Sequence, residues 1–548
     1  MSGRRERTGR ARARPSSPAP GIAAMTVVSV LALGACRPGP EHDIVPAPER
    51  FAAGGGAFVL DANVGIGLLD PEDTEARAVA ELWARPFRAG AGLPLPVGPE
   101  GSIRVGVEGS GGAQRYRLDV GPDGVRVVGT DHAGLFYGLQ TLSQLLPPDA
   151  ETGGASTPIE VPAVSIDDGP RFGYRGMHLD VARHFFGPDE VKRYLDLLAR
   201  YKINRFHWHL TEDQGWRIQI DAFPRLTEVA AFRDQTQIGH GSAPFDGDGV
   251  PHGGFYTKDE VREIVAYAQE RYITVIPEIE MPGHSQAALA AYPELACTEG
   301  PFEVAQTWGV FEDIYCPYEE TFDFLETVLT EVMELFPGPY VHIGGDEAPK
   351  VRWEESEYVR ELMVREGLTE VEQVQGWFVA RIGRFLAEHG RTMIGWDEIL
   401  EGGVPADAVV MSWRGVTGGI EASREGHDVV MAPYSHVYLD YYQSQDTTSE
   451  PFAIGGFLPL DTVYSFEPVP AELDADEAAR ILGAQANVWT EYMKTWDHVE
   501  YMLLPRMLAL SEVVWSPADA RDFDDFRGRL GWHLRRFDAL GVRYRPLD

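Results

Sequence analysis

The sequence predicts an α/β protein, a parallel (β/α)8 (TIM) barrel preceded by a small α+β domain. Three observations carry the prediction. From about residue 169 onward, β-rich apolar segments alternate with amphipathic helical ones, and eight strand candidates follow one another in this way. Before that point the chain holds short strands punctuated by Gly, Asp and Pro, without the alternation. No Gly-rich phosphate loop follows the first strand of the repeating part, which weighs against a doubly wound sheet.

The elements run as follows. Six arginines between Arg4 and Arg14 precede the apolar run "GIAAMTVVSVLALGA" and Cys36, so residues 1–36 read as an export signal. "LGAC" resembles the bacterial lipoprotein box, which makes Cys36 the expected lipidation site and a lipid anchor the expected membrane link; a plain secretory signal with an incidental cysteine, and so a secreted protein, is the other reading. Residues 37–50, "RPGPEHDIVPAPER", read as a Pro-rich tether. In 51–168, "GAFVLD", "SIRVGVE", "RYRLDV" and "GVRVVGT" read as strands and "HAGLFYGLQTLSQLL" as a helix. The barrel strands expected in 169–515 are "YRGMHLDVAR", "NRFHWHL", "ITVIPEIEM", "YVHIGGDE", "TMIGWDEIL", "AVVMSWRG", "DVVMAPY" and "ILGAQANVWTE". Residues 516–548 read as a helical tail packed on the barrel.

The 548 residues are ample for two domains with a large core. A formal charge of −36 argues against nucleic acid or an anionic membrane surface as a partner. Cys297 and Cys316, both in a loop-like region of a chain expected outside the cytoplasm, are read as a disulfide.

A barrel places its chemistry where its strands end. There the sequence gathers Arg183, Glu212, Asp213, Glu280, His284, Asp346, Glu347, Trp396, Asp397, Trp413, Arg414, Trp489 and Glu491. Three chemistries compete. His207 and His209, two apart on a strand, share a face and could hold a metal with Glu280 or Asp346; a hydrogen-bonded pair inside the barrel is the plainer reading. A serine nucleophile lacks its G-x-S-x-G elbow. The acidic cluster with tryptophans suits glycoside hydrolysis, which needs a proton donor and negative charge beside an oxocarbenium ion. Adjacent Asp346 and Glu347 are poorly placed to flank a bond from opposite sides, so the second carboxylate is not an obvious nucleophile.

"HIGGDE", with "LDVARHFF", "FHWHLTEDQGWR", "PEIEMPGH" and "NVWTE", resembles glycoside hydrolase family 20, the β-N-acetylhexosaminidases, over nearly all of residues 51–515. The resemblance implies catalysis in which the substrate's own 2-acetamido oxygen is the nucleophile. It implies Glu347 as general acid–base and Asp346 as the group that orients the acetamido N–H. It implies Arg183 on the sugar's O3 and O4, and Trp396, Trp413 and Trp489 as walls. Tyr438 would hold the acetamido oxygen, Asp440 and Glu491 would accept from O4 and O6, and His284 would bond the acid. Gly344 and Gly345 leave room for close approach and unusual backbone angles. Where many members carry Asp to orient that histidine this chain has Glu212, which leaves the task open between Glu212 and Asp213.

No metal or organic cofactor is implied, and the expected partners are oligosaccharides ending in N-acetylhexosamine. Two other classes stay open: a non-catalytic surface carbohydrate-binding protein, against which Glu347 counts, and a metal-dependent amidohydrolase-like barrel, which a chelator would reveal.

Overall fold

The structure, a computed structural model, describes residues 41–547. The expected signal 1–36, with Cys36, lies outside the described residues.

Eight parallel strands close into a barrel: Tyr174–Asp180, Arg205–His209, Thr274–Glu278, Tyr340–His342, Thr392–Trp396, Val409–Ser412, Asp428–Met431 and Ile481–Ala486. The eighth pairs with the first, Ala484 opposite Arg175, and this pairing closes the ring. The principal outer helices are Pro188–Arg200, Lys258–Gln269, Glu319–Leu335, Glu372–Glu388, Thr417–Glu425 and the pair Trp496–Leu503 and Arg506–Trp515. The fifth strand is followed only by the 3-10 turn Asp397–Leu400. That short connection keeps Asp397 and Glu398 at the barrel mouth instead of carrying the chain down the outside.

The second strand, buried from Phe206 to His209, shows what "HWH" does. Glu278, on the third strand, lies 3.0 Å from His207 Nε2 and 2.8 Å from His342 Nδ1, bonds His209 Nδ1, and accepts from the Trp396 indole at 2.8 Å. These imidazoles surround one buried carboxylate, which they hold well below the usual carboxylate range against the cost of burial. The pair His207 and His209 belongs to the barrel's polar core, and through Glu278 it fixes Trp396.

The N-terminal domain is a seven-stranded mixed sheet in which Arg50–Leu60 is an edge, beside Ile159–Asp168, Tyr116–Gly121, Gly124–Gly129 and Ile103–Val107. Helices Thr74–Ala89 and His132–Leu145 pack against it. Lys202 ties it to the barrel: its buried ammonium lies 3.1 Å from Asp168 and 3.0 Å from the Tyr116 hydroxyl, and Asp168 also accepts from the Trp515 indole.

The tether expected over 37–50 is corrected from His42 onward. Ile44 and Val45 are fully buried, which stabilises by roughly 1.5–3 kcal/mol per side chain. Val45 N–H donates to Gln144, and Arg529, on the tail helix Phe523–Leu540, donates to the Ile44 carbonyl. Pro and polar residues suggested a free chain, whereas the two apolar side chains and the open carbonyls are used for packing. The same tail helix pairs Arg529 with Glu512 and Arg536 with Glu151, so it clasps barrel and N-terminal domain together.

Candidate active site

The strand Tyr340–His342 ends in a sharp turn. Gly344, Gly345 and Glu347 have φ of 67°, 91° and 45°, all left-handed. In an extended strand neighbouring side chains point to opposite faces; this turn instead sends Asp346 and Glu347 into the same cavity. Glycine is required twice. A Cβ on Gly344 would fall 1.7 Å from Glu280 Oε2, and one on Gly345 2.6 Å from Ile399 Cγ2. Gln375 braces the turn from behind, donating to the Gly345 carbonyl at 2.7 Å and accepting from Lys350. A left-handed Glu is costly, and such strain survives where the surroundings over-determine it.

The cavity, of about 200 Å³, is lined by Arg183, Asp346, Glu347, Trp396, Trp413, Tyr438, Asp440, Tyr441, Ile454, Trp489 and Glu491. Every residue read from sequence as catalytic or substrate-binding is in it. Trp396 is buried at the base, 5.9 Å from Trp489 between ring centres, and Trp413 lies nearly parallel to Tyr438 at 6.1 Å. Burial raises Tyr438 well above its usual pKa, so the hydroxyl keeps its proton and can donate. Asp440 Oδ1, Glu491 Oε2 and Asp346 Oδ1 are buried without a hydrogen-bond partner among the described residues, which suits groups that meet ligand hydroxyls or N–H.

Burial is also what pushes Asp346 up to about 7, with Glu278 and Glu347 adding to the rise and His284 opposing it. The Glu347 side chain is 41% exposed and stands at the lip of the cavity, where a leaving group would pass.

His284 sits behind both carboxylates. Its Nε2 is 3.7 Å from Asp346 and 3.5 Å from Glu347. Its Nδ1 is 2.9 Å from Asp213 and 3.2 Å from Glu212. Burial would lower its pKa, but Glu212, Asp213 and Glu347 together hold it well above 6.5. Glu212 has a second duty, a 2.5 Å contact with Arg183 Nη2, and Arg183 Nε donates to Gln214. Asp213 is therefore the nearer partner of His284, with its other oxygen fixed by the Gln286 N–H. Asp213→Asn is expected to lower kcat about 10–100-fold by loosening the imidazole. Glu212→Gln is expected to act mainly on KM through Arg183. Steady-state kinetics of the two variants check the division, and equal effects on kcat would contradict it.

Sequence reading missed Tyr441, Ile454, Gln214 and Glu398. Gln214 lies inside the quoted "TEDQGW" and Tyr441 directly follows Asp440, so proximity to a motif could have flagged both. Ile454 comes from a loop with no periodic signal. The disulfide joins Cys297 to Cys316, and the adjacent Tyr315 N–H donates to the Pro282 carbonyl in the loop that bears His284.

A barrel mouth with a small pocket, tryptophans around it, a fixed arginine and two carboxylates on one side is the arrangement that glycoside hydrolysis calls for. The chain belongs to glycosyl hydrolase family 20: the model of that family's catalytic domain matches residues 172–518, and that of its domain 2 matches residues 41–169. It is 45% identical over 525 residues to a beta-hexosaminidase of Porphyromonas gingivalis, covering 92% of this chain and 65% of that protein. The chain thus spans just under two thirds of that relative's length. Two solved structures are similar throughout. One is the family 20 exo beta-N-acetylglucosaminidase of Vibrio harveyi in complex with N-acetylglucosamine, with TM-score 0.82, 33% identity, and coverage of 92% of this chain and 78% of that one. The other is the Streptomyces plicatus N-acetyl-beta-hexosaminidase in complex with Thio-NAglucal, with TM-score 0.81, 35% identity, and coverage of 93% and 97%.

Proposed function

We propose that this protein removes single β-linked N-acetylglucosamine residues, with N-acetylgalactosamine as a second substrate, from the non-reducing ends of oligosaccharides. The observation that carries the reading is the turn that brings Asp346 and Glu347 onto one side of a pocket sized for one sugar. The pocket's other carboxyls, Asp440 and Glu491, are raised by burial, and each keeps an oxygen free for a sugar hydroxyl.

The sugar then supplies the nucleophile. Asp346 accepts the acetamido N–H, and the Tyr438 hydroxyl donates to the acetamido oxygen. That oxygen attacks the anomeric carbon as the glycosidic bond breaks, and Glu347 gives its proton to the leaving oxygen. The carboxylate form of Asp346 stands beside the cyclic oxazolinium ion; burial pushes this carboxyl up to about 7, so that form is complete only above neutral pH. Glu347, now a carboxylate, takes a proton from water as the water adds to the same carbon and the bond from that carbon to the acetamido oxygen breaks, which restores the acetamido group and retains the anomeric configuration. Arg183 and the tryptophan faces fix the ring, and positioning of this kind is a large part of such a rate enhancement. Turnover of aryl N-acetyl-β-glucosaminide and galactosaminide, with the released sugar identified, tests the reading. Absence of both activities in the folded protein would end it.

We further propose export and lipid anchoring through Cys36. The basic run, the apolar stretch and the "LGAC" sequence support it, and the Cys297–Cys316 disulfide suits an oxidising compartment. A Cys36→Ser chain that still partitions with membranes and still takes up labelled fatty acid would contradict it.

A further inference from the structure

The residues after the fifth barrel strand brace a wall of the pocket that they do not themselves complete. Trp396 is the pocket's base, and the next two residues turn back in the 3-10 segment Asp397–Leu400 toward Trp413 at the end of the sixth strand. Asp397 Oδ2 accepts from the Trp413 backbone N–H at 3.2 Å and from the Arg414 N–H at 3.3 Å, and Asp397 Oδ1 takes the Arg414 side chain at 2.6 Å. Glu398 Oε2 accepts the Trp413 indole N–H at 2.8 Å. Asp397 is 1% exposed and Glu398 7%, so both contacts are sheltered from water. Trp413 is thus held at its backbone by one carboxylate and at its ring edge by the other, with its face set nearly parallel to Tyr438.

We propose that Asp397 and Glu398 are specificity-determining positioning residues, which lock the Trp413 ring and thereby set how large an N-acyl group the pocket admits. The proposal rests on the functional reading above, in which Trp413 and Tyr438 flank the acetamido group. Without Glu398 the indole keeps its backbone clamp but loses the contact that stops it swinging about its side-chain torsions, and room opens where a longer acyl chain would lie. A rigid apolar wall discriminates one methylene by roughly 10–200-fold, and a loose one by less. Burial, nearby Asp346 and Asp397 push Glu398 up to about 8 while Trp413 and Arg414 oppose the rise. In either protonation state a carboxyl oxygen remains to accept from the indole, so the brace survives across neutral pH.

The test compares kcat/KM for aryl 2-acetamido and 2-propionamido β-glucosides. Glu398→Ala is expected to bring the preference for the acetamido substrate down roughly tenfold, through a higher KM for that substrate. Glu398→Gln, whose amide oxygen still accepts the N–H, is expected to keep the wild-type ratio within about twofold. Trp413→Phe removes the N–H from the other side and is expected to relax the ratio in the same direction, with no added loss in the double variant with Glu398→Ala. A folded Glu398→Ala enzyme that keeps the wild-type ratio overturns the inference, as does a Glu398→Gln enzyme that behaves like Glu398→Ala. A wild-type protein indifferent to the 2-acylamino group would instead sink the functional reading itself, and this inference with it.

Discussion

Glu347→Gln is expected to lower kcat by roughly two to four decades on substrates with a poor leaving group. Gln has the size and hydrogen-bonding reach of Glu but no proton to give to the glycosidic oxygen. The loss should shrink on aryl substrates whose leaving group departs as a stable anion, because protonation then contributes less to the barrier. The backbone gives a reason to expect the variant to fold: the left-handed φ of 45° is imposed by the two glycines before it and by the Gln375 brace, none of which the substitution touches. The check is a plot of log kcat against leaving-group pKa for wild type and variant. A variant slope equal to the wild-type slope would remove Glu347 from the role of acid.

Asp346→Asn is the second large effect, again two to four decades in kcat, but with a different signature. It leaves the proton donor in place and removes the charge beside the developing cation, so the loss should be similar for good and poor leaving groups. It also has a stability consequence. The Asp346 carboxyl is raised from 3.8 to about 7 in the folded protein, chiefly by burial. Below about 4 it is protonated in folded and unfolded chains alike, and nothing is lost. Between about 4 and 7 the unfolded chain releases the proton while the folded one keeps it, so stability falls as pH rises, and above about 7 the full penalty is present. Asp346→Asn should therefore raise Tm at pH 8 and leave it unchanged near pH 4. Melting curves at the two pH values check the sign, and a variant that melts lower at pH 8 would show that Asp346 is a stabilising charge.

Those two residues stood out because two carboxylates after two glycines at a strand end are unusual, but the roles expected of them came only from the resemblance to the family. The eight barrel strands were legible for a related reason: buried parallel strands read as apolar runs, and each quoted segment contains one. Other elements were hidden by composition. Helix Thr74–Ala89 is capped by Asp73 and buries Ala76, Val79, Ala80, Trp83, Ala84 and Phe87 at helical spacing, but its charges and Pro86 blur the pattern. Strand Ile159–Asp168 carries Pro162, which argues against an interior strand, yet it lies between two others. In the site, the longer side chain of Glu212 made its role unreadable, and the structure divides the work by distance, with Asp213 nearer His284 and Glu212 against Arg183. Glu398 was unreadable for a different reason. Its purpose depends on where the sixth strand sets Trp413, and only the closed barrel brings the two together.

The central claim is that the substrate provides its own attacking atom. The direct measurement is kcat/KM for a matched pair of aryl β-glucosides, one with a 2-acetamido group and one with a 2-hydroxyl. The first should turn over with retained configuration and the second should be slower by on the order of 10⁵ or more, since an intramolecular nucleophile is worth about that much. Comparable turnover of the two, or a glycosyl ester captured on a protein carboxylate, would contradict it.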